Sequence, residues 1–188
     1  MTMTSTICSA AASDAGLNAD RLGALVTVAR QAADAGGAEL MRHYGRLSSI
    51  ESKGRIGDLV TNADVAAERV VLEVLGRETP DIAVLAEESG AAGEQDGLRW
   101  CVDPLDGTTN FTHGYPFFAT SIGLTFRQRP ILGAIAVPFL GETYWGAPGH
   151  GAHCNDSNIQ VSRCERLEDS LLVTGFAYDR HTRLDNNY

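Results

Sequence analysis

The spacing of the hydrophobic residues changes along this 188-residue chain, and this change is the sequence feature that most restricts the folds the chain can adopt. In residues 20–44 the apolar side chains recur on one face at helical spacing, and residues 61–80 repeat the pattern. From residue 117 the stretch FFATSIGLTF alternates large and smaller residues, which is the period of a strand. Helices followed by short strands predict an α/β or α+β domain built in layers.

The helices and their flanks carry further local signals. Asp20 is a plausible N-cap for the first helix, and Gly36 and Gly37 within it would let another helix approach closely. Residues 1–18 are small and polar, so we expect them to be disordered and the folded domain to begin at residue 19. We expect the later strands to form an antiparallel meander.

The composition limits the partners and the compartment. The net charge of −9 opposes binding of nucleic acid through a basic surface. No run approaches the ~18 apolar residues of a membrane span, so we expect no membrane association. The four cysteines lack zinc-site spacing, which favours free thiols in the reducing cytoplasm. The five histidines show no ligand spacing either, and we assign them to the surface or to packing.

Acidic residues recur where predicted strands and turns end. Asp64 lies in DLVTNAD, Glu87 and Glu88 end IAVLAEES, and Asp103 and Asp106 lie in WCVDPLDGTTNF. Carboxylates gathered in this way would repel one another, and divalent cations bound through oxygen would remove that repulsion. The backbone carbonyl between the two aspartates could add a further ligand.

The segment GTTNF, which directly follows Asp106, can begin a helix, and Gly107 lets a ligand approach the backbone. Exposed amides at a helix N-terminus bind phosphate, and metals beside such a site give the chemistry of a phosphatase. Each signal alone has a simpler interpretation. The aspartates could form a surface turn, the two glutamates a solvated loop, and Asp64 a first-turn acid beside a helix N-terminus.

Together, DLVTNAD, AEES, WCVDPLDGTTNF and the downstream PFFATSIGL and GAHCN resemble the inositol monophosphatase family over about residues 20–180. The resemblance implies a layered α-β-α-β-α sandwich of the sugar phosphatase type, usually dimeric. It also implies lithium-sensitive, Mg²⁺-dependent hydrolysis of a phosphate monoester, myo-inositol monophosphate first of all.

The resemblance assigns roles to the acidic residues. Glu87 and Asp103 would bind a first Mg²⁺ with the Leu105 carbonyl, and Asp103 would bridge to a second that Asp106 also binds. Thr108, hydrogen-bonded to Asp64, would position and help deprotonate the attacking water with Glu87. The amides of Gly107 and Thr108 would hold the phosphate, and Lys53 corresponds loosely to a basic residue near the metals. The residues expected to contact substrate are Glu87, Leu105, Asp106, Gly107 and Thr108.

Two departures from the family pattern stand out. Ala86 replaces a common glycine, which we expect to be harmless. The family's later Trp-Asp pair, whose aspartate binds the second metal, does not occur, so residues 19–188 resemble the N-terminal part of the domain, without its C-terminal part. The alternatives are related phosphatases acting on histidinol phosphate, fructose 1,6-bisphosphate or 3′-phosphoadenosine phosphate, and a non-catalytic binding module of the same fold.

Overall fold

The structure is a computed structural model that describes residues 3–46, 50–52, 59–92 and 96–173. Its helices are α1 (Met3–Asp14), α2 (Ala19–His43), α3 (Asn62–Glu78) and the short α4 (Thr108–Thr112), and a 3₁₀ turn spans Leu167–Asp169. Its strands are β1 (Ile50–Ser52), β2 (Leu59–Thr61), β3 (Ala83–Ala86), β4 (Gly90–Ala92), β5 (Leu98–Asp106), β6 (Ala119–Phe126), β7 (Arg129–Val137), β8 (Glu142–Ala147), β9 (Gly151–Cys154) and β10 (Ser157–Asn158).

Strands β3 to β10 form one mixed sheet in the order β10-β9-β8-β7-β6-β5-β3-β4, while β1 and β2 pair separately. From β5 to β10 each strand pairs antiparallel with the next, so the predicted meander is confirmed. Strands β3 and β5 run parallel, with Ala86 opposite Val102. Their carboxyl ends therefore lie at the same edge of the sheet, which is where the acidic residues of both strands meet.

The helices α1, α2 and α3 contact one face of this sheet. Alternate residues of the strands point to that face, and among them Trp100, Ile122 and Leu124 are fully buried against the helices. Trp100 Nε1 donates to Thr79 Oγ1 at 3.0 Å, which satisfies the one polar atom of this large buried side chain. Among the described residues, no helix has the length and apolar content needed to span a membrane.

Glycine allows α2 to lie close to both of its neighbours. A Cβ at Gly36 would lie 2.7 Å from Thr120 Cγ2 on β6 and 2.9 Å from Val71 Cγ2 on α3. The predicted close approach of a second helix is thus confirmed. The predicted N-cap was wrong, because Asn18, and not Asp20, accepts the Arg21 amide at 2.8 Å, and Asp20 lies within the first turn.

The N-terminal segment forms helix α1 where disorder was expected, so that prediction was wrong. Alanines at its C-terminal end favour a helix and present small apolar side chains, and Ala11 and Ala12 are buried against the sheet. Arg129 on β7 also pairs with Asp14 at 2.6 Å. Although the segment contains many polar residues, its alanines form an apolar stretch that is sufficient for α1 to pack against the sheet.

Candidate active site

The candidate site lies at the edge where β3 and β5 end. The Glu87 amide donates to the Val102 carbonyl at 3.1 Å, which extends the parallel pairing by one residue beyond β3. This bond holds Glu87 beside Asp103, and the two carboxyl groups share a hydrogen bond. Ala86, the departure from the family pattern, is buried in the core beneath this turn.

Asp103 is crowded by other acids. The pKa of Asp103 is raised from its ordinary value to about 7, first by burial and then by the charge of Glu87, the hydrogen bond to Glu87 and the charge of Asp106. The Leu105 amide donates to Asp103 Oδ1 at 3.1 Å and lowers the pKa, which offsets these effects only in part. The carboxylate therefore lies where a positive charge would be stabilising.

The donor set fits a hard divalent cation by its chemistry. In the part of the chain that the structure describes, no three His, Cys, Asp or Glu side chains are spaced to hold a metal ion. The carboxyl groups of Glu87 and Asp103 nevertheless touch, and Asp106 is near enough for its charge to act on Asp103. Oxygen ligands of this kind suit Mg²⁺.

Gly107 turns the chain from β5 into α4. Its φ is +89°, and a Cβ there would lie 3.1 Å from the Phe117 carbonyl oxygen, so glycine suits the position on both counts. The Phe111 amide donates to the Gly107 carbonyl at 3.0 Å and closes the first helical turn. The predicted helix start after Asp106 is confirmed, and Thr108 is its first residue.

Asp64 reaches the site from the N-terminus of α3. Its Oδ2 accepts the Thr61 amide at 2.9 Å and the Thr61 hydroxyl at 2.7 Å, and the side chain is 2% exposed. Its Oδ1 lies 3.4 Å from Thr108 Oγ1, which is also 3.0 Å from the Leu105 carbonyl oxygen. A hydroxyl has one hydrogen to donate, so the two acceptors compete for Thr108 and the shorter distance favours Leu105. Asp64 thus helps to cap α3 and also contacts Thr108.

Known proteins are similar to this chain in sequence and in fold. An inositol-1-monophosphatase of Synechocystis is 50% identical over 162 residues, which cover 86% of this chain and 56% of that protein. A fructose-1,6-bisphosphatase/inositol-1-monophosphatase of Aquifex aeolicus is 42% identical over 79% of this chain and 57% of its own length. The profile of the inositol monophosphatase family matches residues 22–188.

The chain belongs to the inositol monophosphatase family. The solved inositol monophosphatase of Anabaena is 45% identical and superposes with a TM-score of 0.77, over 89% of this chain and 61% of that one. The resemblance found in the sequence is thereby confirmed, as is the α/β sandwich of the sugar phosphatase type. This chain spans less than two-thirds of the length of these relatives.

Two features of the candidate site in this member of the inositol monophosphatase family were not predicted from the sequence. Glu68 on α3 is 5% exposed and accepts the Glu88 amide at 2.9 Å. Its spacing of four residues from Asp64, one helical turn, was the available signal. His43 at the end of α2 contacts Asn62 on α3 at 2.9 Å and lies 3.4 Å from Glu39. His43 therefore links α2 to α3 beside the Thr61 cap. The sequence positions of the histidines give no signal of this contact.

The remaining predicted site residue is Lys53, which lies outside the described residues. The structure places the other seven predicted residues around the β3 and β5 edge. These residues are Asp64, Glu87, Asp103, Leu105, Asp106 and Thr108, with Gly107 at the turn between the last two.

Proposed function

We propose that the protein is a Mg²⁺-dependent phosphatase that hydrolyses myo-inositol monophosphate to inositol and phosphate. The observation that carries this proposal is the contact of Glu87 with Asp103, with Asp106 nearby, directly before the Gly107 turn. Carboxylates crowded beside the start of a helix join a cation site to a phosphate site. Membership of the inositol monophosphatase family supports the same reaction.

The metal-binding residues in this proposal are Glu87, Asp103 and Asp106, with the Leu105 carbonyl. Bound Mg²⁺ would supply a water of lowered pKa and neutralise the phosphoryl oxygens. Burial and the charges of Glu87 and Asp106 raise the pKa of Asp103, so a cation bound there would relieve the repulsion among these acids. The Leu105 carbonyl oxygen lies 3.0 Å from Thr108 Oγ1, so the proposed metal ligands are adjacent to the hydroxyl described next.

The remaining roles concern the attacking water and the phosphate. Thr108 Oγ1 can donate to Asp64 Oδ1, 3.4 Å away, while its lone pairs accept a hydrogen from the water. Glu87 would take up a proton from that water, with Thr108 orienting it. The amides of Gly107 and Thr108, at the start of α4, would bind the phosphate oxygens. No covalent phosphoenzyme is needed in this scheme.

We also propose that the protein is a lithium-sensitive homodimer of the cytoplasm. Family membership supports the first two properties. All four cysteines are free thiols, which supports a reducing compartment.

A second candidate substrate is fructose 1,6-bisphosphate, because the Aquifex relative carries both activities in its name. Phosphate release should be measured with inositol monophosphate, fructose 1,6-bisphosphate, histidinol phosphate and 3′-phosphoadenosine phosphate, each with Mg²⁺ and with EDTA. We expect the highest kcat/KM for inositol monophosphate and no turnover in EDTA. Mg²⁺-independent turnover, or none with any substrate together with no Mg²⁺ binding in calorimetry, would contradict the proposal.

A further inference from the structure

Two hydrogen bonds hold the turn that carries Glu87. The peptide group before the Glu87 Cα is fixed because the Glu87 amide donates to the Val102 carbonyl at 3.1 Å. The peptide group after that Cα is fixed because the Glu88 amide donates to Glu68 Oε2 at 2.9 Å. With both flanking peptide planes held, the φ and ψ of Glu87 are held as well. The direction in which its Cα–Cβ bond leaves the backbone is then fixed, and this sets the starting point from which its carboxylate reaches Asp103.

The first of these bonds continues the β3–β5 pairing, but the second comes from a side chain on another element. Glu68 lies twenty residues before Glu88 and is 5% exposed on the face of α3 that packs toward β5. A buried carboxylate is unfavourable unless it is hydrogen-bonded, and an apolar residue would fill this core position at lower cost. The placement of a glutamate there is explained by the bond that it makes.

We propose that Glu68 is a positioning residue for the metal site, acting through the Glu88 amide to hold the Glu87 carboxylate beside Asp103. This inference rests on the proposed function, because it assigns Glu87 to the metal. Helix α3 then serves the site twice. Asp64 contacts Thr108, and Glu68, one turn later, fixes the turn after β3.

The test uses variants matched in length. Glu68→Met removes the acceptor and suits a buried position, whereas Glu68→Gln keeps a carbonyl acceptor and removes only the charge. Glu73→Gln, at an exposed carboxylate on the same helix that pairs with Arg69 at 3.0 Å, is the control for a lost charge on α3. Mg²⁺ binding is measured by calorimetry, and exchange of the Glu88 amide by NMR of the metal-free protein.

We expect Glu68→Met to weaken Mg²⁺ binding by about tenfold, the effect typical of residues that orient a metal ligand. The Glu88 amide should be protected in the wild type, exchange faster in Glu68→Met, and stay protected in Glu68→Gln and Glu73→Gln. Wild-type Mg²⁺ affinity in Glu68→Met overturns the proposal. A loss of Mg²⁺ affinity in Glu68→Gln as large as that in Glu68→Met also overturns it.

If Glu68→Met does not fold, the wild-type measurement still decides, because an unprotected Glu88 amide in metal-free protein also overturns the proposal. None of these readouts uses a substrate. Failure of the proposed function would appear instead in the phosphate-release panel, so the two failures are distinguishable.

Discussion

Asp64 and Asp103 are carboxylates of one candidate site, yet their surroundings are opposite. Asp64 is surrounded by donors, since it accepts the Thr61 amide and the Thr61 hydroxyl, and the Thr108 hydroxyl lies 3.4 Å away. Asp103 has the Leu105 amide as a donor but also faces the acids Glu87 and Asp106. One carboxylate is stabilised by the fold, whereas the other is stabilised only once a cation or a proton is present.

This difference distinguishes the part of the site that stabilises the fold from the part that would bind the cation. At the N-terminus of α3 the hydrogen bonds are formed as soon as the protein folds, because all of their donors and acceptors belong to the protein. At the edge of β3 and β5 the acids repel one another after folding, and this repulsion is relieved only when a cation binds or a proton is taken up. Substitutions on the two sides should therefore divide into those that change stability and those that change metal binding.

The largest expected effect is that of Asp103→Asn. It should abolish Mg²⁺ binding in calorimetry and lower kcat/KM by about a thousandfold or more, because it removes the charge that the cations and transition state require. Thermal unfolding of the metal-free variant should occur no earlier than in the wild type, since repulsion with Glu87 and Asp106 is removed. Unchanged turnover would end the assignment of Asp103 to the metal.

The next effect is that of Thr108→Ala. It should lower kcat about a hundredfold, in the range lost with a group that assists proton transfer, while Mg²⁺ affinity changes little. Thr108→Ser keeps the hydroxyl and should restore most of the rate. Mass spectrometry of quenched reactions should detect no phosphothreonine, and a phosphorylated Thr108 would show that the hydroxyl is a nucleophile and not a positioning group.

The smallest expected effect is on stability, for Asp64→Ala. It should lower the free energy of unfolding by about 2 kcal/mol, because the cap of α3 is lost and buried donors of Thr61 lose their acceptor. Denaturant unfolding without metal measures this loss, with Asp103→Asn as the matched comparison. Equal stability of the two variants would break the contrast between a carboxylate stabilised by folding and one stabilised by binding.

The proximity of Asp103 to Glu87 and Asp106 could be expected from the sequence because its signals are local. Asp103, Asp106 and Gly107 lie within one turn, and Glu87 follows a recognisable strand. Helix α1 was missed because its docking depends on small alanines, which carry little hydrophobic signal. Glu68 was missed because a glutamate in mid-helix is usually solvated, and only the packing of α3 on β5 makes it buried.

The sequence separation of the contacts in the candidate site bears on how the site forms during folding. Glu68 and Glu88 are 20 positions apart, and Asp64 and Thr108 are 44 positions apart. Loop-closure entropy grows only with the logarithm of length, so the longer of these contacts costs about 0.7 kcal/mol more than the shorter. The pairing of Arg129 with Asp14 spans 115 residues and closes a far larger loop. The contacts of the site thus join positions that are closer in sequence than Asp14 and Arg129. We therefore expect the site to form before α1 packs on the meander.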